Sequence, residues 1–214
     1  MDRGSSAIEE LSTRATVRRS SPKKSGLHLG ERGLALALLV LGAPLFVLVA
    51  LIVRRSGKGQ ILYRGVRLGQ RKRPFTMYKF RTLKEEANRV TGPELLSHTH
   101  DLTIPYGKFL RETRLDELPQ LWNVLRGDMS LVGPRPERPT FVREFKHKVP
   151  QYMLRHRVKA GITGWAQVHG WRGNTSIDKR IEYDIYYIEN WSLALDLKIL
   201  WMTAFRGFVH SNAY

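Results

Sequence analysis

The chain has 214 residues, room for one domain of ordinary size with appendages, and its 42% hydrophobic and 10% aromatic content supplies a core and excludes wholesale disorder. Lysine and arginine number 36 against 19 acidic residues, a formal charge of +17 that points to an anionic partner: nucleic acid, an acidic membrane face or a phosphorylated substrate. Cysteine is absent, which excludes disulfides, thiolate metal sites and a cysteine nucleophile.

Residues 1–32 mix seven basic and four acidic residues with Ser, Thr and Gly, and carry almost no apolar periodicity. That composition reads as a flexible basic tail. No short basic start followed by a small-residue cleavage site marks a secretory signal.

Residues 33–53 form 21 consecutive positions without a charge or a hydroxyl. At ~1.5 Å per residue a straight helix of that length reaches ~30 Å, the thickness of a bilayer core. Such a run implies membrane contact, and the question is whether it spans or turns back. Gly42-Ala43-Pro44 sits at its midpoint, where proline removes a backbone donor and breaks the helix. Both flanks are basic: Arg18, Arg19, Lys23, Lys24 and Arg32 before, Arg54, Arg55 and Lys58 after. The positive-inside rule therefore gives no orientation for a simple crossing. A re-entrant helical hairpin with Pro44 at its apex removes the conflict by leaving both ends on one side; a kinked spanning helix is the other reading.

Residues 54–214 read as a small α+β domain dominated by helices. Ile61-Leu62-Tyr63 and Phe75–Phe80 have strand character and are bounded by Gly69 and Pro74. Leu115, Leu118, Leu121, Trp122 and Leu125 recur at helical spacing, as do Ile181, Ile185, Ile188 and Trp191. Near the C-terminus, Trp191, Trp201, Phe205 and Phe208, with Lys198 and Arg206, fit an interfacial helix, a subunit contact or ordinary core packing. His156 and His169 lack metal-ligand spacing and read as structural or surface residues.

An acid pair in so basic a chain is the first candidate for chemistry. Asp116-Glu117 precedes Pro119, which a helix tolerates only in its first turn, so a helix is expected to start close to Asp116. Both carboxylates would then lie at the positive end of a helix dipole, where Asp116 stays ionised and a phosphate is welcome. The ordinary explanation of such a pair is an N-cap and its first-turn partner. The surroundings argue for more: Arg111 and Arg114 come just before, and in Gly133-Pro134-Arg135-Pro136 two prolines restrict the backbone around one arginine. A guanidinium held in that way suits bidentate phosphate recognition. Adjacent helical residues diverge by ~100°, so the two acids cannot straddle a glycosidic bond as a glycosidase requires.

The run Leu115-Asp116-Glu117-Leu118-Pro119-Gln120-Leu121, followed by Asn123-Val124-Leu125, Gly127 and Met129–Pro136, resembles the signature of the bacterial sugar transferases. These are polyprenyl-phosphate hexose-1-phosphate transferases, or monotopic phosphoglycosyl transferases. The resemblance extends from about Arg32 to Leu200 and includes Tyr78-Lys79-Phe80-Arg81-Thr82, Gly161–Val168 and Leu195–Leu200. Several blocks in the right order make it specific. Gln60, Gly65 and Ala160 depart from the common pattern and touch loop stiffness, leaving the acid pair intact. Larger members carry further membrane helices and another domain, for which residues 1–32 are too short.

The resemblance implies an enzyme that moves a hexose-1-phosphate from a UDP-sugar to undecaprenyl phosphate, releasing UMP, as the first membrane step of polysaccharide or glycoconjugate synthesis. It implies Asp116 as nucleophile, forming a covalent phosphosugar intermediate, Glu117 as a ligand of Mg²⁺, and Arg111 and Arg135 as contacts to substrate phosphates. Lys79 and Arg81 are weaker candidates for the same role, since both fit the solvated face of a strand. A bacterial inner-membrane location is expected, with residues 54–214 as the catalytic domain on the cytoplasmic face among anionic lipids. The resemblance implies no nucleic acid as partner and leaves a homo-oligomer and the identity of the sugar open. The charge alone also permits a membrane-tethered nucleic-acid-binding module, and a metal-dependent glycosyltransferase releasing UDP is a third reading.

Overall fold

A computed structural model describes residues 25–85, 87, 102–173 and 175–206. Two helices lead: α1 (Ser25–Leu41) and α2 (Ala43–Arg55). They are followed by strands β1 (Leu62–Leu68) and β2 (Pro74–Phe80), then by α3 (Gly107–Glu112), a 3₁₀ turn over Leu115–Glu117, and α4 (Gln120–Arg126). Strand β3 (Ser130–Val132), α5 (Pro139–Lys148), a 3₁₀ segment Tyr152–Arg157 and strand β4 (Gly161–Thr163) come next. The short α6 (Trp165–Val168), α7 (Ile177–Glu189) and α8 (Leu193–Arg206) complete the order. The mostly helical α+β composition matches the expectation.

Helix starts at Ser25, eight residues before the apolar run, so the boundary expected at 32/33 falls inside α1. The polar first turns are used: Glu31 accepts a hydrogen bond from Ser130 Oγ, and Arg32 Nη2 donates to the carbonyl of Arg126 at 3.0 Å. Residues 1–24, most of the expected tail, lie outside the described residues.

The axis bends by 63° at Gly42, between Leu27–Leu41 and Ala43–Arg55. Pro44 stands in the first turn of α2, where its missing N–H is no loss, and the carbonyl of Gly42 accepts from Phe46 at 2.9 Å. The break is thus a bend of one residue, not two arms folded back antiparallel. No described single helix is long and apolar enough to cross a membrane; only the bent pair meets that test. Each arm buries little. Ala35 joins the main core with Met77, Leu121, Val124, Leu131, Tyr187 and Ile199, while Val49 and Val53 join Phe80, Ile104 and Leu110. Leu34, Leu36, Leu38, Leu41, Leu45, Leu48 and Leu51 are left exposed along both.

β1 and β2 pair antiparallel from Leu62 opposite Phe80 to Leu68 opposite Pro74. β3 and β4 pair in parallel, Ser130 with Gly161 and Val132 with Thr163. These second strands are only three residues long, and glycine permits them. A Cβ on Gly133 or Gly161 would collide with the opposing main chain. The two backbones therefore meet with nothing between them, and Gly161 N donates to the carbonyl of Pro134 at 3.0 Å.

Candidate active site

The acid pair does not open an α-helix. Arg114 adopts a left-handed φ of 58° and launches the 3₁₀ turn Leu115–Glu117; α4 begins only at Gln120. Pro119 sets that offset, because it has no N–H to continue the turn and is compatible with a helix only at its start. Asp116 and Glu117 therefore sit on a tight turn, pressed into the domain, at 7% and 8% exposure.

Their environments differ sharply. Glu117 Oε1 accepts from Lys79 Nζ at 2.5 Å and from Arg135 Nη2 at 2.7 Å. Burial would raise its pKa, but Arg135 and Lys79 outweigh that and hold the carboxyl well below the usual range. Asp116 makes no hydrogen bond or ion pair among the described residues. Burial raises its pKa, with Lys79, Arg135 and Arg111 pulling the other way. One carboxylate is locked; the other is loose and more basic. Such a division gives the two acids different chemistry: one is held in place, the other is open to a substrate or an ion.

Each cation in the clamp is fixed by its own element. Lys79 is carried by β2, and Asn123 of α4 ties that strand down: its Nδ2 donates to the carbonyl of Thr76 at 2.7 Å and its Oδ1 accepts from Tyr78 N at 3.2 Å. Arg135 follows the glycine-packed β3–β4 crossing. Its Nη1 donates to Gln167 Oε1 at 3.1 Å, and its carbonyl accepts from Arg155 Nη2 at 2.8 Å. Arg155 is in turn paired with Asp184 of α7 at 2.8 Å, both almost fully buried. A chain of contacts thus runs from α7 to the carboxylate of Glu117.

Of the residues picked from sequence, Asp116, Glu117, Lys79 and Arg135 are brought together, with half-buried Arg111 in electrostatic reach of Asp116. Arg81 is not. Its guanidinium is buried and donates to the carbonyls of Val53, Gly57 and Lys58. It closes the C-terminal end of α2, where orphan carbonyls attract a cation, which leaves it no free fork for a phosphate. Pro44 belongs to the bend in the leading helices. His156 Nδ1 lies 3.2 Å from the carbonyl of Gly69 and His169 Nδ1 2.8 Å from that of Trp165, as structural histidines do. On α8, Trp201 and Phe205 are exposed while Lys198 stacks over Trp165; Phe208 lies outside the described residues.

Two arginines escaped selection. Arg114 was visible only as a neighbour of the pair, and Arg172 sits 56 positions beyond Asp116 with no motif to flag it. Both interact electrostatically with Asp116, Glu117 and Arg135. Burial, then the charge of Arg172, lowers the pKa of Arg114 to about 10. The sequence signal was the bare excess of arginine.

Among the described residues no group of three or more His, Cys, Asp or Glu is arranged to hold a metal ion. Mg²⁺ needs fewer when substrate phosphates complete its shell: one or two carboxylates suffice. Both Asp116 oxygens and Glu117 Oε2 are without protein partners among the described residues, so the donor set fits that ion. Glu117 Oε1, already shared by two cations, does not.

The family model described as bacterial sugar transferase matches residues 28–210. A UDP-glucose:undecaprenyl-phosphate glucose-1-phosphate transferase of Klebsiella pneumoniae is 44% identical over 184 residues, which cover 83% of this chain and 39% of that protein. A UDP-N-acetylgalactosamine-undecaprenyl-phosphate N-acetylgalactosaminephosphotransferase of Aeromonas hydrophila is 40% identical over 179 residues, 81% of this chain and 42% of that one. The uncharacterized sugar transferase EpsL of Bacillus subtilis is 42% identical over 169 residues, 79% of this chain and 80% of its own length. The chain thus spans about two fifths of the first two relatives and most of the third.

Proposed function

We propose a reaction for this chain, which belongs to the bacterial sugar transferase family: transfer of a hexose-1-phosphate from a UDP-sugar to undecaprenyl phosphate. The observation that carries the reading is Asp116, a buried carboxylate without a hydrogen-bond or ion-pair partner among the described residues, set against a neighbouring carboxylate that two cations hold still. Two of these relatives are named for transfer to undecaprenyl phosphate and differ in sugar, glucose in one and N-acetylgalactosamine in the other. The hexose is therefore left unassigned.

In the first half-reaction an Asp116 carboxylate oxygen attacks the β-phosphorus of the UDP-sugar. The bond from that phosphorus to the bridging oxygen breaks, UMP departs with the electron pair, and the hexose-1-phosphoryl group rests on Asp116. In the second, a phosphate oxygen of undecaprenyl phosphate attacks the same phosphorus, the aspartyl O–P bond breaks and the carboxylate is regenerated. Both nucleophiles are anions, so neither step needs a base. A carboxylate is a weak nucleophile, and burial helps by raising its basicity and removing competing water. Arg111, Arg135 and Lys79 supply positive charge where negative charge gathers on the phosphoryl oxygens. When bound, Mg²⁺ held by Asp116 or Glu117 Oε2 adds charge neutralisation at the phosphates.

The lipid acceptor has its phosphate at a membrane surface, and the apolar flanks of α1 and α2 suit anchoring there. We assign them to one leaflet of the bacterial inner membrane, entering and leaving on the cytoplasmic side, with basic residues against anionic lipids.

The test is a UDP-sugar labelled in its β-phosphate. Without acceptor, label should become covalently attached at Asp116 and UMP should appear. With acceptor, Asp116→Asn should lower turnover by about a thousandfold or more, the scale expected when a nucleophile is lost. Release of UDP in place of UMP, or full activity in the variant, would overturn the reading.

A further inference from the structure

The charge around the acid pair does not balance. Five cationic side chains, Lys79, Arg111, Arg114, Arg135 and Arg172, act on two carboxylates, Asp116 and Glu117. Lys79 and Arg135 are accounted for by Glu117. Arg114 and Arg172 are not. Arg114 Nε and Nη2, and Arg172 Nε, are shut off from solvent without a hydrogen-bond acceptor, and neither residue has an ion pair among the described residues. Arg172 is 8% exposed.

Guanidinium N–H groups shut away from water without acceptors are costly, and two such cations within reach of each other add repulsion to lost hydration. A lysine could relieve such strain by shedding a proton; arginine stays charged. An unsatisfied donor pair of this kind, beside a site that handles anions, is matched by a group carrying several acceptor oxygens and more than one negative charge. A phosphate fits, since its oxygens take the forked N–H donors of two guanidiniums at once.

We propose that Arg114 and Arg172 form a second phosphate clamp, separate from the Lys79–Arg135 grip on Glu117, which holds a phosphate that is not itself transferred. The proposal rests on the reaction given above. There the phosphoryl group on Asp116 occupies the space by Arg111 and Arg135, while two other phosphates pass through the site: the nucleotide's own, which leaves in UMP, and that of the lipid acceptor. Both offer the same chemistry to the clamp. Arg114 lies two residues before the nucleophile on the same turn, so an anion it holds is fixed relative to Asp116 by the backbone.

The experiment uses the full chain in detergent at constant ionic strength and follows the thermal midpoint during titration with inorganic phosphate, UMP and farnesyl phosphate. The wild type should be stabilised by phosphate. Arg114→Met should start from a higher midpoint in phosphate-free buffer, because a repulsive buried charge is gone, and should need at least tenfold more phosphate for the same rise. Arg172→Met should behave alike, and Arg114→Lys, which keeps the charge and loses the fork, should fall between. A loss confined to UMP assigns the clamp to the nucleotide; a loss confined to farnesyl phosphate assigns it to the acceptor. Unchanged affinity for all three ligands in Arg114→Met overturns the clamp, even if UMP is still formed from UDP-sugar. A wild type that forms no UMP from any UDP-sugar, yet shows the Arg114-dependent phosphate response, keeps the clamp and removes the proposed reaction.

Discussion

At the scale of the residue, the site depends on two adjacent carboxylates being made unlike. Glu117 is held well below the ordinary glutamate range, despite its burial, by Arg135 and Lys79. A depressed folded-state pKa means that the unfolded chain binds the proton more tightly. The stabilisation is therefore complete above the unfolded value, about 4.3, and is lost as pH falls through the lower folded one. Glu117→Gln should remove it. The wild-type midpoint should drop on acidification below pH ~4, and the variant's curve should be flatter over the same window. Equal slopes in thermal melts from pH 3 to 6 would show that the clamp contributes nothing to folding. The acid pair itself was legible in the sequence, because Asp-Glu beside two arginines and a proline is unusual. Which acid would be free was not. That depends on where Lys79, 38 positions away from Glu117, and Arg135, 18 positions away, place their nitrogens. Arg81 shows the same limit from the other side: two positions from Lys79, it would share that residue's face on a continuing strand, but β2 ends at Phe80 and Arg81 is spent on the carbonyls of Val53, Gly57 and Lys58.

At the scale of the element, the strand pair β1–β2 and the helices over 120–126 and 177–189 follow from aromatic and apolar patterning, and their positions were readable within a few residues. The 3₁₀ turn and the parallel β3–β4 crossing were not, for different reasons. Proline licenses several starts for a helix, and only packing chooses among them. Three-residue strands separated by 28 intervening positions leave no periodicity, and their signal was confined to glycines whose Cβ would collide with the main chain opposite. Asn123 shows how such elements are locked together. It is fully buried and makes both halves of an amide pairing with β2, the strand that carries Lys79. Removing it takes the partner from the half-buried N–H of Tyr78 and carbonyl of Thr76, a loss of about 1 kcal/mol for each bond, and empties a fully buried side-chain site. Asn123→Ala should accordingly lower stability in denaturant titrations by about 2 kcal/mol or more and raise the mobility of Lys79. Turnover should fall more than the folded fraction explains, since Glu117 loses one of its two cations. Turnover that tracks the folded fraction alone would make Asn123 a packing residue and nothing else.

At the scale of the whole molecule, the question is how a basic domain would meet the lipid phosphate that the proposed reaction requires. Among their described residues α1 and α2 bury Ala35, Val49 and Val53 deeply, and present leucine and valine outward on both arms. A surface of that extent is stable in water only if something apolar covers it. The polar first turns of α1 touch the rest of the domain through Glu31 and Arg32, and Arg81, just past β2, holds the carbonyl of Val53 in the last turn of α2 and those of Gly57 and Lys58 beyond it. Both ends of the bent pair are therefore fastened to the same part of the chain, which supports the proposed arrangement in which the pair enters and leaves on one side. Charge agrees, with basic residues before and after the apolar run. The absence of cysteine allows a direct check. Single variants Ser25→Cys and Lys58→Cys, expressed in bacterial cells, should both resist a membrane-impermeant thiol reagent added outside spheroplasts and both react once the membrane is opened. Reaction of one from outside and the other only after lysis would mean that the pair spans. In that case the contacts from Glu31 and Arg32 could not coexist with those of Arg81 in the membrane, because one end of the pair would be drawn across the bilayer from the acid pair it helps to seat.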